Sequence, residues 1–391
     1  MYKIATLNKI SKIGLAQFSD QYEIVDDVNS ANGIIVRSQD MHSMEFPDSL
    51  VGIARAGAGV NNIPLDRCAD EGIVVFNSPG ANANSVKELV IASIIMSARN
   101  LYDSINWACS LSDNVSASVE KGKSQFAGHE IAGKTLGVIG LGAIGVRVAN
   151  AASDLGMNVV GFDPYLGIKA AHDMYPCIEI MDKIEKLLNV CDYITVHIPA
   201  SPDNKEMFNK EIFGACKENV VILNFSRNSL IKEDDLLDAI NSGKVKQYVT
   251  DFPTDGIMCK PGVLCVPHLG ASTEEAEDNC AIMAANELMD FIDNGNILNS
   301  VNFPPANLGP IAEGEARAAI MTKGISNPVD LAIRMCDNNV ITAATGGLRG
   351  EYGYALISSS EPFTKIKSGE GVIKVRAVSY THLTLPTTPY V

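Results

Sequence analysis

Three segments of the sequence carry residues suited to acid–base chemistry on an anionic substrate. Arg227 lies in NFSRNSLIKEDDL, Asp255 in VTDFPTDG and His268 in VPHLGAST. Histidine titrates near neutral pH, so it can protonate the alkoxide that develops when a 2-oxo acid accepts a hydride. An arginine can hold the substrate carboxylate and polarise its carbonyl. A carboxylate beside the histidine would hold its tautomer, so Arg227 and His268 are candidates for the cation and the acid that reduction of a 2-oxo acid would need.

Each of these segments follows or ends a short apolar run of the kind that forms a buried parallel strand. Helical patterns separate the runs, and an open α/β sheet keeps its ligands at the carboxyl ends of its strands. The sequence thus predicts an α/β protein with two doubly wound parallel sheets, Rossmann-like or flavodoxin-like. The predicted strands are KIATL, GIIVRS, VGIARA and GIVVFNS, followed by TLGVIG, NVVGFD, YITVHI, VVILNF, QYVTDF and VLCVP.

The domain boundaries follow from where the strand pattern restarts. The apolar helix in SVKELVIASIIMSARN separates the two sheets, and a helix over 274–294 returns to the first domain. After a Pro/Gly-rich linker, the order β-α-β-β-α-β predicts a ferredoxin-like domain. The predicted domains are a first doubly wound domain over 1–93 completed by 275–300, a second, Rossmann-like domain over 94–274, a linker over 301–314, and the ferredoxin-like domain over 315–378.

The last thirteen residues, SYTHLTLPTTPYV over 379–391, have neither the apolar periodicity nor the charge of the preceding chain. We expect them to be translated vector or adapter sequence rather than native protein. Finding the corresponding codons at the genomic locus would contradict this expectation.

The composition of the chain indicates which binding partners and which cellular compartment to expect. The 391 residues carry a formal net charge of −15, which argues against binding to nucleic acid or to an anionic membrane. The nine cysteines include no C-x-x-C pair and no zinc-like spacing, so reduced thiols and no metal are expected. The N-terminus lacks a signal-peptide pattern, and LVIASIIM is too short to span a bilayer. A cytoplasmic protein is expected.

The sequence GLGAIG supplies a dinucleotide-binding pattern. Gly140, Gly142 and Gly145 stand between a predicted strand and a predicted helix, which is the context that the G-x-G-x-x-G pattern requires. The glycines allow a pyrophosphate to approach the helix N-terminus. Asp163, at the end of the next strand, would accept the ribose hydroxyls and repel a 2′-phosphate, so NAD is favoured over NADP.

From residue 1 to 378, the chain resembles the D-isomer-specific 2-hydroxyacid dehydrogenases, because GLGAIG, FDPY, VHIP, NFSR and PHLGAST occur in that family's order. The resemblance implies that Arg227 binds substrate, that His268 is the general acid/base, and that an acidic residue between them pairs with the histidine. The family usually has Glu where this chain has Asp255, and nearby Asp251 is an alternative partner. The cofactor contacts it implies are Gly140, Gly142, Ala143, Ile144, Gly145, Asp163, His197, Pro199, Asp251 and Gly270.

The first domain is similar to that of family members that act on 3-phospho-D-glycerate. The similarity lies in IIVRSQD and IARAGAGVNNI, where guanidinium groups suit a phosphate and the amides of the AGAG turn suit a carboxylate. It implies NAD-dependent oxidation of 3-phospho-D-glycerate to 3-phosphohydroxypyruvate, the first step of serine biosynthesis. The substrate contacts it implies are Arg37, Arg55, Gly57, Ala58, Gly59 and Asn61.

The C-terminal domain resembles an ACT regulatory domain, and GANANSVKELV resembles a helix that lies at a dimer contact in the family. A homodimer or homotetramer is therefore expected. TKGISNP does not match the serine-contacting pattern of some relatives, so the effector stays open. Two other functions also stay open: a hydroxypyruvate or glyoxylate reductase, which would not need Arg37, and an NAD-sensing regulatory binding protein on the same fold.

Overall fold

The structure is a computed structural model, and it describes residues 1–336, 339–363, 366 and 369–379. The chain divides into two compact units, one formed by Met1–Ala81 with the chain from Glu277 onward, the other by Asn82–Ala276. Of the predicted non-native tail, residues 380–391 lie outside the described residues. Among the described residues, every helix is too short or too polar to cross a bilayer.

The elements are numbered along the chain. The strands are β1 (Tyr2–Leu7), β2 (Tyr22–Val25), β3 (Gly33–Val36), β4 (Gly52–Arg55), β5 (Val74–Phe76), β6 (Thr135–Ile139), β7 (Asn158–Phe162), β8 (Glu179–Ile180), β9 (Tyr193–Val196), β10 (Val220–Asn224), β11 (Val245–Thr250), β12 (Val263–Cys265), β13 (Ala316–Lys323), β14 (Ile341–Arg349), β15 (Tyr352–Ser359) and β16 (Val372–Ser379). The helices are α1 (Lys12–Leu15), α2 (Leu65–Asp70), α3 (Ala83–Ala98), α4 (Leu101–Cys109), α5 (Val115–Gly122), α6 (Ala143–Asp154), α7 (Ile168–Asp173), α8 (Ile184–Val190), α9 (Lys210–Ala215), α10 (Glu233–Asn241), α11 (Glu274–Asn294) and α12 (Pro328–Met335).

Two parallel sheets confirm the predicted fold class. The first unit has the strand order β2-β1-β3-β4-β5, which is flavodoxin-like, and the second has β12-β11-β10-β9-β6-β7-β8, which is Rossmann-like. Strands such as GIIV and VVILN are buried at every position because helices cover both sheet faces. Strands β2 and β8 were not predicted from the sequence, because exposed polar residues interrupt their apolar pattern.

The division between the units precedes α3, whereas the sequence analysis placed it inside this helix, between residues 93 and 94. The reason is packing: Val86, Val90 and Ile94 share a buried cluster with Leu136 of β6, so the whole helix belongs to the second sheet. The helix predicted over 274–294 is present as α11, and the chain returns to the first unit at Glu277.

The C-terminal strands form an antiparallel sheet in the order β14-β15-β13-β16, the arrangement of a ferredoxin-like unit. Its second predicted helix, over EPFTKIKS, falls partly outside the described residues. The sheet belongs to the first compact unit, because Tyr354 and Leu356 of β15 share a buried cluster with Phe76 and Phe291.

The predicted linker over 301–314 is packed rather than free. Phe303 is fully buried, and Ile297 and Ala306 exchange backbone hydrogen bonds. Arg317 of β13, itself 2% exposed, ties the segment down by donating hydrogen bonds to the carbonyls of Leu308, Gly309 and Pro310 and to that of Asn294 at the end of α11.

Candidate active site

The glycine turn lies between β6 and α6, at the carboxyl edge of the second sheet. Gly140 has φ +90°, and a Cβ there would come within 2.5 Å of the carbonyl oxygen of His197. A Cβ on Gly145 would collide with the carbonyl oxygen of Gly140. Both positions therefore require glycine for the fold itself.

Gly142 differs, because a Cβ at this position would meet no described atom within 4 Å. It is the N-cap of α6, and no side chain of the described residues caps it. The first-turn N–H groups that begin at Ala143 and Ile144 are thus available to a phosphate. The open space and the uncapped helix end fit the pyrophosphate of a dinucleotide.

Asp163 follows β7 directly and lies beside the glycine turn. Its carboxylate accepts hydrogen bonds of 2.8 Å from the backbone N–H groups of Leu141 and Tyr165. These two bonds fix the carboxylate next to the predicted pyrophosphate site, at the place where the adenosine ribose of a dinucleotide is held in this fold.

His197 and Pro199 follow β9, the strand beside β6 at the point where the strand order reverses. The His197 Nε2 lies 2.9 Å from Thr195 Oγ1, and its Nδ1 is buried without a partner among the described residues. Burial lowers the pKa of His197 to about 3, so this imidazole is neutral near pH 7. Pro199 is exposed.

Asp251 follows β11 and is 1% exposed. Its Oδ2 accepts a 3.1 Å hydrogen bond from the Gly270 N–H, while Oδ1 is buried without a partner among the described residues. Burial raises the pKa of Asp251, and the Gly270 hydrogen bond and the charges of His268 and Arg227 offset part of that rise. The orphaned Oδ1 fits a hydrogen-bond donor such as the carboxamide of a nicotinamide ring.

Arg227, Phe252 and His268 lie in a row at the ends of β10, β11 and β12. The Arg227 Cζ lies 5.3 Å from the centre of the Phe252 ring, and the rings of Phe252 and His268 have centres 4.5 Å apart. His268 is exposed and Arg227 half-buried. The structure thus brings the predicted cation and the predicted acid/base close to one phenyl ring, that of Phe252, which was not predicted from the sequence.

The predicted pairing of Asp255 with His268 does not appear in the structure. Asp255 is exposed in a turn beyond β11, and no hydrogen bond or ion pair joins it to His268 in the described part of the chain. Thr254, its neighbour, donates to Glu233 Oε1 at 2.7 Å and so ties the turn towards α10. The charge of His268 is one of those that act on the buried carboxyl of Asp251, so Asp251 is the carboxylate within electrostatic reach of the imidazole.

In the first unit, Arg37 and Arg55 stand at the carboxyl ends of β3 and β4. The Arg55 Nε donates to the Arg37 carbonyl at 3.0 Å. A Cβ on Gly57 would come within 2.5 Å of the Arg55 guanidinium, so the absence of a side chain at this position leaves space for the arginine. Ala58 and Asn61 are exposed and Gly59 is half-buried, which leaves the turn accessible within this unit.

Glu277 is a charged neighbour of Arg37 that the sequence analysis missed. Its Oε1 lies 2.7 Å from Arg37 Nη2, and the side chains of Arg37 and Glu277 are 40% and 43% exposed, respectively. Only folding brings α11 to β3, so no local pattern could have indicated this ion pair. Among the described residues, no three His, Cys, Asp or Glu side chains lie close enough together to hold a metal ion.

Comparison with known proteins agrees with this geometry. Residues 91–270 match the family model "D-isomer specific 2-hydroxyacid dehydrogenase, NAD binding domain". The chain is 31% identical over 358 residues to a Schizosaccharomyces pombe protein named "Putative D-3-phosphoglycerate dehydrogenase", a match that covers 81% of this chain and 73% of that protein.

Two further similarities are to a second named sequence and to a solved structure. The D-3-phosphoglycerate dehydrogenase of Methanocaldococcus jannaschii is 32% identical over 79% of this chain, but the match spans only 59% of its own length. The crystal structure of NAD+-bound 3-phosphoglycerate dehydrogenase from Entamoeba histolytica superposes with a TM-score of 0.61 at 26% identity, covering 77% of this chain and 98% of that one.

Proposed function

Because the chain belongs to the D-isomer-specific 2-hydroxyacid dehydrogenase family, we propose that it oxidises 3-phospho-D-glycerate to 3-phosphohydroxypyruvate with NAD, the entry step of serine biosynthesis. The observation that carries the proposal is the row of Arg227, Phe252 and His268 beside buried Asp251, in the unit that contains the glycine turn. The named relatives support the substrate.

NAD, when bound, would supply the acceptor for the hydride that leaves the substrate's C2. Gly142 and the first turn of α6 would hold its pyrophosphate, Asp163 its ribose hydroxyls and Asp251 its carboxamide. The carboxylate oxygens of Asp163 and Asp251 can accept hydrogen bonds from the ribose hydroxyls and from the neutral carboxamide, respectively, and neither contact requires a positively charged group.

His268 would take the proton from the substrate's C2 hydroxyl as the hydride leaves, and would return a proton to the oxo group in the reverse direction. Arg227 would hold the substrate carboxylate, and its guanidinium polarises the neighbouring carbonyl. The negative charge of Asp251 stabilises the imidazolium that His268 becomes, and the Asp251 hydrogen bond to Gly270 holds the loop that carries the histidine.

In the first unit, Arg37 and Arg55 are the proposed contacts for the substrate's anionic groups. A phosphate at Arg37 would compete with Glu277, whose ion pair is half-exposed and therefore weak. A phosphate dianion offers bidentate geometry and more charge than one carboxylate, so it can displace Glu277.

The decisive experiment compares Arg37→Ala on phosphorylated and unphosphorylated substrates. We expect kcat/KM for 3-phosphoglycerate to fall by roughly tenfold to over a hundredfold, because a charge-assisted hydrogen bond is lost. The value for glycerate or hydroxypyruvate should change much less. An equal loss on both substrates, or no loss, would favour a hydroxypyruvate or glyoxylate reductase. No turnover with any 2-hydroxy acid, but retained NAD binding, would favour an NAD-sensing binding protein.

We also propose a cytoplasmic homodimer or homotetramer in which the ferredoxin-like sheet acts as an ACT-type regulatory domain. The sheet order β14-β15-β13-β16 supports the domain type, since it is the ferredoxin-like order. Light scattering of the purified chain measures the oligomer size, and a monomer at micromolar concentration would contradict the proposal.

A further inference from the structure

The first unit contains a cavity of about 550 Å³ along helix α11. On one side it is lined by Asn279, Met283, Asn286 and Glu287, at the three- and four-residue spacing of one helix face. The segment over 296–299 lines the other side. None of these residues belongs to the proposed catalytic or cofactor sites.

Glu287 is the unusual group in this cavity, because it is 7% exposed and only half satisfied. Its Oε1 accepts a hydrogen bond from the Asn299 amide, but Oε2 is buried without a partner among the described residues. Burial raises the pKa of Glu287 to about 7, and the Asn299 hydrogen bond offsets part of the rise. A buried carboxyl oxygen without a hydrogen-bond partner lowers the stability of the fold, so a ligand that donates a hydrogen bond to Glu287 Oε2 would be favoured.

The rest of the lining indicates which donor fits. Asp290 adds a second carboxylate, although its Oδ1 already accepts hydrogen bonds from Asn294 and Asn296 at 2.8 and 2.9 Å. The cavity lining, as far as it is described, contains no Lys, Arg or His, while Ile282, Met283 and Leu298 supply apolar surface. Two carboxyl groups without a cation exclude an anionic ligand and attract a positive one.

We propose that this cavity binds a small primary ammonium ion with a short apolar body, whose N–H groups hydrogen-bond to Glu287 Oε2 while its hydrocarbon part packs on Met283 and Leu298. The ligand class differs from that of the anionic substrate, which the same carboxylates would repel. Binding therefore requires neither turnover nor the proposed substrate, and it can fail or succeed independently of the proposed function.

The cavity lies on a different face of α11 from the proposed substrate contacts. Ala281, Ala284 and Leu288 face the buried core of the first sheet, and Glu277 pairs with Arg37. Asn279, Asn286 and Glu287 instead turn towards the cavity. An occupant would thus bind against the same helix that carries Glu277, without contacting the arginine.

The test is isothermal titration calorimetry at pH 8 with propylammonium chloride. We expect saturable binding of one ion per chain, weakened at least about tenfold in Glu287→Gln, which keeps the shape but loses the charge. Glu23→Gln, the same change at an exposed position on β2, should bind as the wild type does. Propionate, with a similar body and the opposite charge, should not bind. No saturable heat with the wild type, or equal binding by Glu287→Gln, would overturn the proposal.

A second measurement needs no variant. Burial raises the pKa of Glu287 to about 7, so below that pH the carboxyl takes up a proton that a bound ammonium ion should displace, and the heat of binding should then depend on the ionisation enthalpy of the buffer. Asp290 is the other titratable group facing Glu287 from α11, and residues 296–299 contribute none. At pH 6 we expect the observed heat of binding to differ between phosphate and MES buffers, whose ionisation enthalpies differ. At pH 8.5, where few protons are released, the heat should depend little on the buffer. Binding without proton release at pH 6 would contradict a role for Glu287.

Discussion

Phe252 lies close to two groups that carry positive charge during the proposed reaction. The centre of its ring lies 5.3 Å from the Arg227 Cζ and 4.5 Å from the centre of the His268 ring. The π face of the ring is negative, so it can accept both cations without a direct contact between them. Asp251 supplies the formal negative charge. Each of these side chains has a separate role that a single substitution can test.

His268→Asn should fold and bind NADH as the wild type does, because the side chain is exposed and takes part in no hydrogen bond in the described structure. Its turnover should fall by about 10²- to 10⁴-fold, the usual contribution of a general acid/base. Steady-state rates and NADH fluorescence titration measure the two properties. Turnover near the wild-type value would refute the assignment of His268.

Asp251→Asn and Asp255→Asn distinguish the two candidate partners of His268. Reduction of a 2-oxo acid needs the protonated imidazole, and a neighbouring negative charge favours that form. Removal of the partner should therefore move the alkaline limit of kcat/KM to lower pH. From the burial and charge interactions of Asp251, we expect the shift in Asp251→Asn and little change in Asp255→Asn. The opposite pattern would restore the pairing that the sequence analysis predicted.

At the scale of secondary-structure elements, the turn between β6 and α6 uses its glycines for two different purposes. Gly140 and Gly145 let the backbone close on itself, whereas Gly142 leaves space that no described atom fills. The first two positions are requirements of folding. The third is a requirement of binding, because the uncapped end of α6 must remain accessible to a phosphate.

This difference predicts that replacement of glycine by alanine weakens cofactor binding at position 142 but lowers the stability of the fold at position 145. Gly142→Ala, at φ −77°, should change the free energy of unfolding by less than about 1 kcal/mol but weaken NAD binding at least tenfold. Gly145→Ala should destabilise the protein by roughly 1–3 kcal/mol, since the methyl group meets the Gly140 carbonyl. Urea unfolding and NADH titration of both variants check this. Equal loss of stability in the two variants would contradict the separation of roles.

At the scale of the whole molecule, the ferredoxin-like sheet and the first parallel sheet share a hydrophobic core. One face of β15 packs Tyr354 and Leu356 with Phe291, while the opposite face packs Ile357 on the helix side with Ala332. The Arg376 guanidinium adds a contact, with its Cζ 4.3 Å from the centre of the Phe291 ring. The sheet is therefore joined to α11 by packed side chains and not only by the chain connection.

Leu356→Ala and Ile357→Ala, neighbours on opposite faces of β15, test this shared core. Each should lower the free energy of unfolding by about 2–5 kcal/mol, since both side chains are fully buried. Only Leu356→Ala should also speed amide hydrogen exchange in β4 and α11, because its methyl groups belong to the cluster that contains them. Identical exchange patterns in the two variants would indicate that the C-terminal sheet is an independent module.

Local sequence determined the parts of this protein whose partners are close along the chain. The alternation of apolar strands and helices specifies both parallel sheets, and GLGAIG specifies the dinucleotide turn, because each depends on backbone conformation within a few residues. The same reasoning placed Arg227 and His268 at strand ends, and the structure brings them to the same sheet edge. Polar edge strands such as β2 were not predicted, because their exposed residues interrupt the run of apolar residues by which a strand is recognised.

Tertiary structure decided the features that depend on burial and on distant partners. Asp251 and Asp255 are the same residue type four positions apart, but only Asp251 is buried beside the charges of Arg227 and His268. The Arg37–Glu277 ion pair and the packing of the predicted linker likewise join segments far apart in the chain. The desolvation of a charge and the contents of a core depend on everything that surrounds a residue, and local residue types and spacing do not specify those surroundings.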